Sequence, residues 1–333
     1  MLKVGLIGCG GIGAVHARCW LAMRDKVQMV AIADVSTERA QQFADMCGAK
    51  VYTDGFEMMK EEALDVVDIC VPTFLHADYV IRAMEYVKNI IVEKPICLKE
   101  KEAQRLLDAR EASGVLVQVG HVVRFMDAYR YLKEVASSGK YGKMIAGNFD
   151  SISPRPMWMK GHDDIDRTGT MALDMHIHDV DYIRYLMESE PEDMHSWAVR
   201  DKEGIVQHIW TSYRFGDALL TAEGSWDYPA SLPFRQTFRV RMEKAAVVLD
   251  ANGILTVYPE EGEKFVPQLG EKEEMDLGIN VSDLGPYMNE IRYFVENIQA
   301  GVEGIASLSE AIASFRLVWK ELELAGIVQN MTD

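Results

Sequence analysis

The stretch that decides the fold is Lys3-Val4-Gly5-Leu6-Ile7-Gly8-Cys9-Gly10-Gly11-Ile12-Gly13. Its apolar first half predicts a short buried strand, and residues 14–22 after it predict a helix. The part from Gly8 to Gly13 fits the pattern G-x-G-x-x-G. The first glycine of that pattern permits a tight turn, the second lets a pyrophosphate approach the backbone, and the third lets helix and strand pack closely. A dinucleotide site is therefore expected, with the cofactor-binding residues Gly8, Gly10, Gly11, Ile12 and Gly13.

An acidic residue at the expected distance strengthens this prediction. Asp34 follows Gly13 by 21 residues and ends a second apolar run, residues 27–33. A carboxylate there is placed to bond the ribose 2′-hydroxyl and to repel a 2′-phosphate, which favours NAD over NADP. Arg39 could pair with such a phosphate, but its helical position favours solvent or a carboxylate. The sequence therefore predicts NAD as the cofactor.

Strand-like and helical stretches alternate through the first third of the chain. The strand-like runs lie at 66–71, 89–92 and 115–119, and helical stretches lie at 36–46, 76–87 and 99–113. This alternation predicts an α/β domain, a parallel doubly wound sheet with helices on both faces. We expect it to span residues 1–121.

The pattern changes beyond residue 121. Strand-like runs follow one another at 144–152, 207–213, 218–224, 236–242, 245–249 and 254–258, and helical stretches lie at 127–138, 171–187, 286–299 and 309–325. Consecutive strands without intervening helices predict an antiparallel sheet. The sequence thus predicts a second domain, residues 122–333, with a large, mainly antiparallel open sheet.

The composition excludes several classes of partner. The 333 residues carry a formal net charge of −17, so phosphate backbones and anionic lipid surfaces are poor partners. No stretch approaches the ~20 apolar residues that cross a bilayer, and no targeting segment precedes the first strand. The five cysteines show no metal-binding spacing and predict reduced thiols. Together these features predict a cytoplasmic protein.

Two further stretches carry chemical groups. Lys94, within Val92-Glu93-Lys94-Pro95, ends a predicted parallel strand, where such sheets bind ligands, although a surface lysine is the simpler alternative. Asp174 and His178 stand four apart on a predicted helix, and Asp181 lies three residues further on, so carboxylates can orient the imidazole. A plain surface pair is one alternative.

A metal site is a second alternative for this helix, with the candidate ligands Asp174, His176, His178 and Asp179. Histidines two apart on a helix diverge by about 200°, which suits one ion poorly. No metal is therefore predicted.

These motifs together resemble a known family. In chain order they are the glycine loop, Asp34, Pro72-Thr73-x-x-His76, Glu93-Lys94-Pro95, Gly120-His121-x-x-Arg124-Phe125 and Asp174-x-x-x-His178-Asp179-x-Asp181. The combination resembles the glucose–fructose oxidoreductase, inositol dehydrogenase and rhizopine-catabolism (Gfo/Idh/MocA) family over essentially the whole chain. The resemblance implies an N-terminal Rossmann domain, a C-terminal α/β domain with an open sheet, and association into a homodimer or homotetramer.

The resemblance also implies roles for individual residues. The catalytic set of inositol dehydrogenases carries over to Lys94, Asp174 and His178. Further cofactor contacts are implied for Pro72, Thr73, His76, Glu93 and Lys94, and substrate contacts for His121 and Arg124. Trp158, in the irregular segment 153–169, is a candidate for stacking on a sugar ring, with core packing as the alternative. That segment, Gly169-Thr170 in place of a glycine pair, and His121 in place of an asparagine depart from the family pattern and leave the sugar open.

The expected reaction is hydride transfer between NAD and a secondary alcohol of a cyclic polyol or sugar. In it His178 accepts the hydroxyl proton, Lys94 stabilises the oxygen, and Asp174 supports the charged imidazole. Two alternatives remain open at this point. One is an enzyme that oxidises a sugar transiently and retains its NAD, and the other is a non-catalytic dinucleotide sensor.

Overall fold

The computed structural model describes residues 1–156, 165, 167–270 and 284–327. They divide into two compact units, which are described separately. The first unit contains residues 1–122 and 284–313, and the second contains residues 123–270 and 314–327.

The first unit is built on a six-stranded sheet in the order β3-β2-β1-β4-β5-β6. Every neighbouring pair of these strands runs parallel. The strands are β1 (Leu2–Ile7), β2 (Val27–Ala33), β3 (Lys50–Tyr52), β4 (Val66–Ile69), β5 (Asn89–Glu93) and β6 (Leu116–Gly120). Their near-continuous apolar sequences suit a parallel sheet, because helices bury both of its faces. The predicted Rossmann sheet is confirmed.

Helices connect these strands. They are α1 (Gly11–Ala22), α2 (Thr37–Cys47), α3 (Gly55–Glu61), α4 (His76–Ala83) and α5 (Glu100–Ser113), with a 3₁₀ turn at Thr73–Leu75 before α4. Ser36 caps α2, since its hydroxyl accepts a hydrogen bond from the backbone N–H of Arg39. Gly48 then ends α2 in the left-handed conformation.

A segment from late in the chain completes the first unit. It contains the helix Gly285–Ala300 and the residues after it. The Asn297 amide donates to Gln118 Oε1 at 3.2 Å, and the backbone N–H of Val119 donates to Ala306 O at 2.8 Å. The sequence assigned all of 122–333 to one second domain, whereas residues 284–313 pack in the first unit. With that difference, the two-domain division remains a proposal.

The second unit contains a seven-stranded sheet in the order β13-β12-β11-β7-β10-β9-β8. Its strands are β7 (Met144–Ile152), β8 (Asp193–Arg200), β9 (Val206–Phe215), β10 (Ala218–Ser225), β11 (Arg235–Met242), β12 (Ala245–Leu249) and β13 (Leu255–Pro259). All neighbours pair antiparallel except β7 and β10, which are parallel. The predicted mainly antiparallel sheet is confirmed.

Helices α6 (Asp127–Ser138) and α7 (Ile177–Met187) supply the aromatic packing on one face of this sheet. The Tyr129 ring lies 4.7 Å from that of Tyr182 and 5.0 Å from that of Phe238, centroid to centroid. Strands β8 and β9 also carry exposed tryptophans. Trp197 and Trp210 stand opposite each other in the strand register, 63% and 42% exposed.

The final helix described runs from Leu308 to Leu324 and is shared between the units, passing from the first to the second at residue 314. Among the described helices, none combines the length and apolar character needed to cross a bilayer.

Candidate functional site

The glycine loop between β1 and α1 is shaped by close backbone packing. Gly8 has φ of +94°, and a Cβ added there would lie 2.4 Å from Cys70 O. A Cβ on Gly13 would lie 1.9 Å from Gly8 O, whereas a Cβ on Gly10 would meet nothing within 4 Å. Gly8 and Gly13 therefore allow the helix and the strand to pack closely. Gly10 leaves open space for a ligand, as the G-x-G-x-x-G motif requires.

The N-terminus of α1 is available to an anion. Gly10 is its N-cap and provides no side-chain hydrogen bond, and its first turn has no acidic residue. The first bond of the helix runs from Ala14 N to Gly10 O. The preceding N–H groups and the positive end of the helix dipole can thus face a pyrophosphate. This local arrangement fits a dinucleotide despite the acidic chain.

Asp34 lies just beyond β2 and is 7% exposed. Its Oδ2 accepts the Cys9 backbone N–H at 2.6 Å, which ties the carboxylate to the glycine loop. Its Oδ1 lies 2.8 Å from Arg39 Nη2 and also accepts the Ser36 N–H. Burial raises the pKa of Asp34, but the hydrogen bonds from Arg39, Ser36 and Cys9 outweigh burial and hold it below its ordinary value. Arg39 pairs with a carboxylate, as its position suggested.

The segments after β4 and β5 are joined through a histidine. Pro72 precedes the 3₁₀ turn that begins at Thr73, and His76 is buried at the start of α4. His76 Nδ1 lies 2.8 Å from Pro95 O, and its Nε2 lies 2.8 Å from Val71 O. The ring therefore clamps the backbone that follows Lys94. Direct cofactor contacts by these side chains stay predictions.

Glu93 ends β5 and is buried, and half-buried Lys94 follows it; the peptide bond from Lys94 to Pro95 is cis. The carboxyl ends of β1 and β5 lie at one edge of the parallel sheet, so Lys94 and the glycine loop share that edge. This is the location that the sequence predicted for Lys94.

A buried histidine beside this edge was missed by the sequence reasoning. His16 on α1 is 1% exposed and lies between the carboxylates of Asp68 on β4 and Glu93 on β5. Burial disfavours its charged form, but the charges and hydrogen bonds of Asp68 and Cys70 together outweigh burial and raise the pKa of His16 well above its usual value. The available signal was Asp68, a charged residue inside an otherwise apolar strand.

In the second unit, Asp174 and His178 lie where a π-helical turn, Ala172–His176, joins α7. Both side chains are half-buried. Because a π turn has more residues per turn than an α-helix, the four-residue spacing does not by itself place both side chains on one face. The prediction that Asp174 and His178 share one helix face assumed a regular α-helix, and the π turn corrects that assumption.

Arg124 and Asp181 form a buried ion pair, each side chain 1% exposed. The guanidinium binds both carboxylate oxygens, Nε to Oδ2 at 2.7 Å and Nη2 to Oδ1 at 2.6 Å. The Ser314 hydroxyl donates to the same Oδ1 at 2.8 Å. Asp181 is thus engaged by Arg124, where the spacing had suggested a partner for His178. A substrate contact by Arg124 stays a prediction.

The neighbours of Asp174 and His178 point into the core. His176 Nε2 lies 2.7 Å from Glu321 Oε2, and a Cβ on Gly224 would come within 2.7 Å of His176. Asp179 is fully buried, and burial raises its pKa to about 7 against the opposing effects of Ser151 and His176. His176 and Asp179 are therefore structural residues.

The remaining candidates divide into two cases. His121 is 1% exposed directly after β6, so its substrate contact stays a prediction. Trp158 lies outside the described residues. In the part of the chain that the structure describes, two sets of side chains are close enough to share a metal ion. Both sets contain His16, and neither contains a histidine of the second unit.

Two family models match this architecture. The oxidoreductase family with an NAD-binding Rossmann fold matches residues 2–121, and the GFO/IDH/MocA C-terminal domain matches residues 129–248. The chain belongs to the Gfo/Idh/MocA oxidoreductase family. As a Gfo/Idh/MocA protein it has the family's NAD-binding Rossmann domain, which confirms NAD as the cofactor class expected from the glycine loop.

Individual relatives agree with this assignment. The chain is 32% identical to the myo-inositol 2-dehydrogenase of Thermotoga maritima over 194 residues, which cover 58% of this chain and 57% of that protein. It is 31% identical to the scyllo-inositol 2-dehydrogenase (NAD⁺) of Bacillus subtilis over 193 residues, which cover 57% of this chain and 55% of that protein. The match spans a little over half the length of these relatives.

The fold is also that of solved structures. Levoglucosan dehydrogenase in complex with NADH and levoglucosan superimposes with a TM-score of 0.82 at 21% identity, covering 98% of this chain and 97% of that one.

Proposed function

We propose that this Gfo/Idh/MocA protein is an NAD-dependent dehydrogenase that oxidises a secondary alcohol of a cyclic polyol or sugar. The observation that carries the proposal is the location of Lys94 at the end of β5, on the same sheet edge as the open Gly10 loop. The relatives named as inositol 2-dehydrogenases support a polyol substrate. The buried Asp34 carboxylate supports NAD over NADP, because it would repel a 2′-phosphate.

Each residue has a separate role in the proposed reaction. His178 accepts the proton of the substrate hydroxyl as the general base. Lys94 donates a hydrogen bond to the oxygen and stabilises the negative charge that develops on it. Asp174 stabilises the charged form of the imidazole. The bound nicotinamide supplies the hydride acceptor for the carbinol carbon.

The exposed tryptophans support self-association as a homodimer or homotetramer. Trp197 and Trp210 stand opposite each other on adjacent strands and are at least 42% exposed. Such an apolar patch is a common protein–protein contact. Light scattering of the wild type and of Trp197→Glu tests this self-association. If the patch mediates it, the variant should have a lower molecular mass in solution than the wild type.

The main test adds NAD⁺ or NADP⁺ to the protein with a panel of inositols and pyranoses, and follows the absorbance of reduced nicotinamide. We expect NADH with a polyol, and a ~10²–10⁴-fold loss of kcat in His178→Ala with little change in NAD⁺ affinity. His195→Ala is the matched control, because His195 is an exposed histidine of the same unit. Unchanged turnover in His178→Ala overturns the proposed role of His178.

A null result in the panel is also informative. If no NADH forms, the protein is denatured and the supernatant is assayed for released NAD. Retained cofactor favours a closed cycle of oxidation and reduction, and weak NAD binding without turnover favours a sensor.

A further inference from the structure

A continuous series of hydrogen bonds crosses the interior of the first unit. Trp20 Nε1 donates to Asp68 Oδ2 at 2.6 Å, and the same oxygen lies 2.9 Å from His16 Nδ1. On the other side of the ring, His16 Nε2 lies 3.1 Å from Glu93 Oε1. The series ends at the backbone, because Glu93 Oε2 accepts the N–H of Lys94 at 3.1 Å. Helix α1 is thereby connected to the end of β5.

The hydrogen-bond geometry favours a charged imidazole. Each ring nitrogen of His16 faces a carboxylate oxygen, and both nitrogens can donate only when the ring is doubly protonated. Asp68 is 0% exposed and Glu93 is 6% exposed, so water has little access to either carboxylate. Losing His16 as the hydrogen-bond donor would therefore be costly. The ring also faces Cys70, Glu290 and Tyr287. His16 thus lies between two buried carboxylates, an arrangement that stabilises the charged form of its ring.

Glu93 has little freedom in this arrangement. One of its oxygens is held by His16 and the other by the Lys94 N–H. Gly120 on the neighbouring strand gives it room, since a Cβ there would lie 2.7 Å from Glu93 Oε1. Moving this carboxylate would therefore move the backbone from which the Lys94 side chain starts.

We propose that His16 is a positioning residue that fixes Lys94 through the carboxylate of Glu93. The inference rests on the proposed function, in which Lys94 contacts the substrate oxygen. Without the His16 cation, Glu93 loses a charge-assisted hydrogen bond and faces Asp68 and Glu290 with less compensation. The Lys94 amide then loses its fixed acceptor, and the ammonium group loses its fixed starting point.

The first test observes Lys94 directly and needs no substrate. Protein labelled with ¹⁵N-lysine is examined by NMR, and the Lys94 amide signal is assigned by its loss in Lys94→Arg. We expect His16→Gln to shift or broaden this signal. Trp20→Phe is the matched control, because it removes the outermost bond and leaves the His16–Glu93 contact in place. A Lys94 signal unchanged in His16→Gln overturns the inference, whatever the protein catalyses.

The second test is a double-mutant cycle with NAD⁺ and myo-inositol, or with the panel substrate if it differs. We expect His16→Gln to lower kcat by about ten- to a hundredfold, with NAD⁺ affinity within about threefold of wild type. In the Lys94→Ala background His16→Gln should cost nothing further, because both changes act through one group. An equal cost in both backgrounds overturns the inference, while full activity of Lys94→Ala overturns the proposed function instead.

Folding is controlled with a second variant. If His16→Gln does not fold, by circular dichroism and NAD⁺ binding, the double variant His16→Gln with Asp68→Asn replaces it in both tests. That variant removes a buried cation together with a buried anion and leaves Glu93, the acceptor of the Lys94 N–H, unchanged. The inference predicts the same shift of the Lys94 signal and the same loss of kcat, and an unchanged signal overturns it.

Discussion

The carboxylate of Asp34 and the guanidinium of Arg39 form an ion pair, with Oδ1 2.8 Å from Nη2. Asp34 is nearly buried, whereas the Arg39 side chain is 52% exposed. The pair holds opposite charges where the adenosine ribose is expected, and the anion is the one tied to the glycine loop. Cofactor preference therefore depends on which of the two charges faces the 2′-position.

Replacing Asp34 with Ala should shift the cofactor preference toward NADP⁺. The change removes the repulsion toward a 2′-phosphate and leaves Arg39 available to bind it. We expect the ratio of NADP⁺ to NAD⁺ affinity to rise about tenfold or more, equivalent to ~1.4 kcal/mol. Quenching of tryptophan fluorescence measures both affinities. Asp34→Ala combined with Arg39→Ala is the control, and an equal gain in NADP⁺ affinity there would show that Arg39 takes no part.

Substitutions of two loop glycines should have different effects, one on folding stability and the other on NAD⁺ binding. Gly13→Ala places a methyl group against Gly8 O, so we expect unfolding to become easier by about 1–3 kcal/mol. Gly10→Ala adds its methyl to open space, so stability should be kept and NAD⁺ affinity should fall about tenfold. Urea unfolding and nucleotide titration distinguish the two variants. Normal NAD⁺ binding by Gly10→Ala contradicts the expected approach of the pyrophosphate.

Variants of the Arg124–Asp181 pair can distinguish a role of Arg124 in folding stability from a role in substrate binding. Arg124→Met leaves a buried carboxylate uncompensated, and breaking such a pair costs about 3–5 kcal/mol. We expect the double variant Arg124→Met with Asp181→Leu to recover most of this loss in urea unfolding. If Arg124→Met unfolds like wild type and only the KM for the polyol rises, the residue serves the substrate instead.

Asp179 should make stability depend on pH. Burial raises its pKa from 3.8 to about 7, so the folded protein keeps a proton that the unfolded chain releases. Stability from this group is therefore complete below about pH 4 and is lost as pH rises toward 7. Asp179→Asn should remove that slope and be more stable above pH 7, by a few kcal/mol at most.

The measurement for Asp179 is urea unfolding at half-unit steps from pH 4.5 to 8. Asp108→Asn, a change at an exposed aspartate, is the control and should leave the slope as in wild type. A slope that persists in Asp179→Asn would assign it to another group.

The sequence predicted those features that depend on local pattern. The glycine loop, Asp34 and the alternation of strands and helices each have a direct physical cause in neighbouring residues, and the parallel sheet followed from them. The stretches Lys50–Tyr52 and Gly55–Glu61 were missed because they are too short to show a period. Strand β8 was also missed, since exposed Trp197 and Val199 disturb its alternation of polar and apolar residues.

Features that depend on long-range packing could not be predicted in this way. The π turn at Ala172–His176 changes the angle between Asp174 and His178, whose four-residue spacing suggested a regular α-helix. Nothing in the local sequence indicates the turn. The parallel pairing of β7 with β10 joins residues more than 70 positions apart. The buried contacts of His16 and Arg124 likewise bring together distant elements, so each residue alone was compatible with several roles.

The return of residues 284–313 to the first unit affects how the protein is made. Tyr287 and Glu290 of this segment face His16, and Ala306 bonds the backbone of β6. During synthesis, the nucleotide-binding unit therefore remains unfinished until the ribosome has translated nearly the whole chain. Until then α1 lacks part of its covering, and His16 lacks the Tyr287 and Glu290 side chains that face it. A fragment that ends at residue 121 would lack the same covering permanently, because residues 284–313 are missing from it.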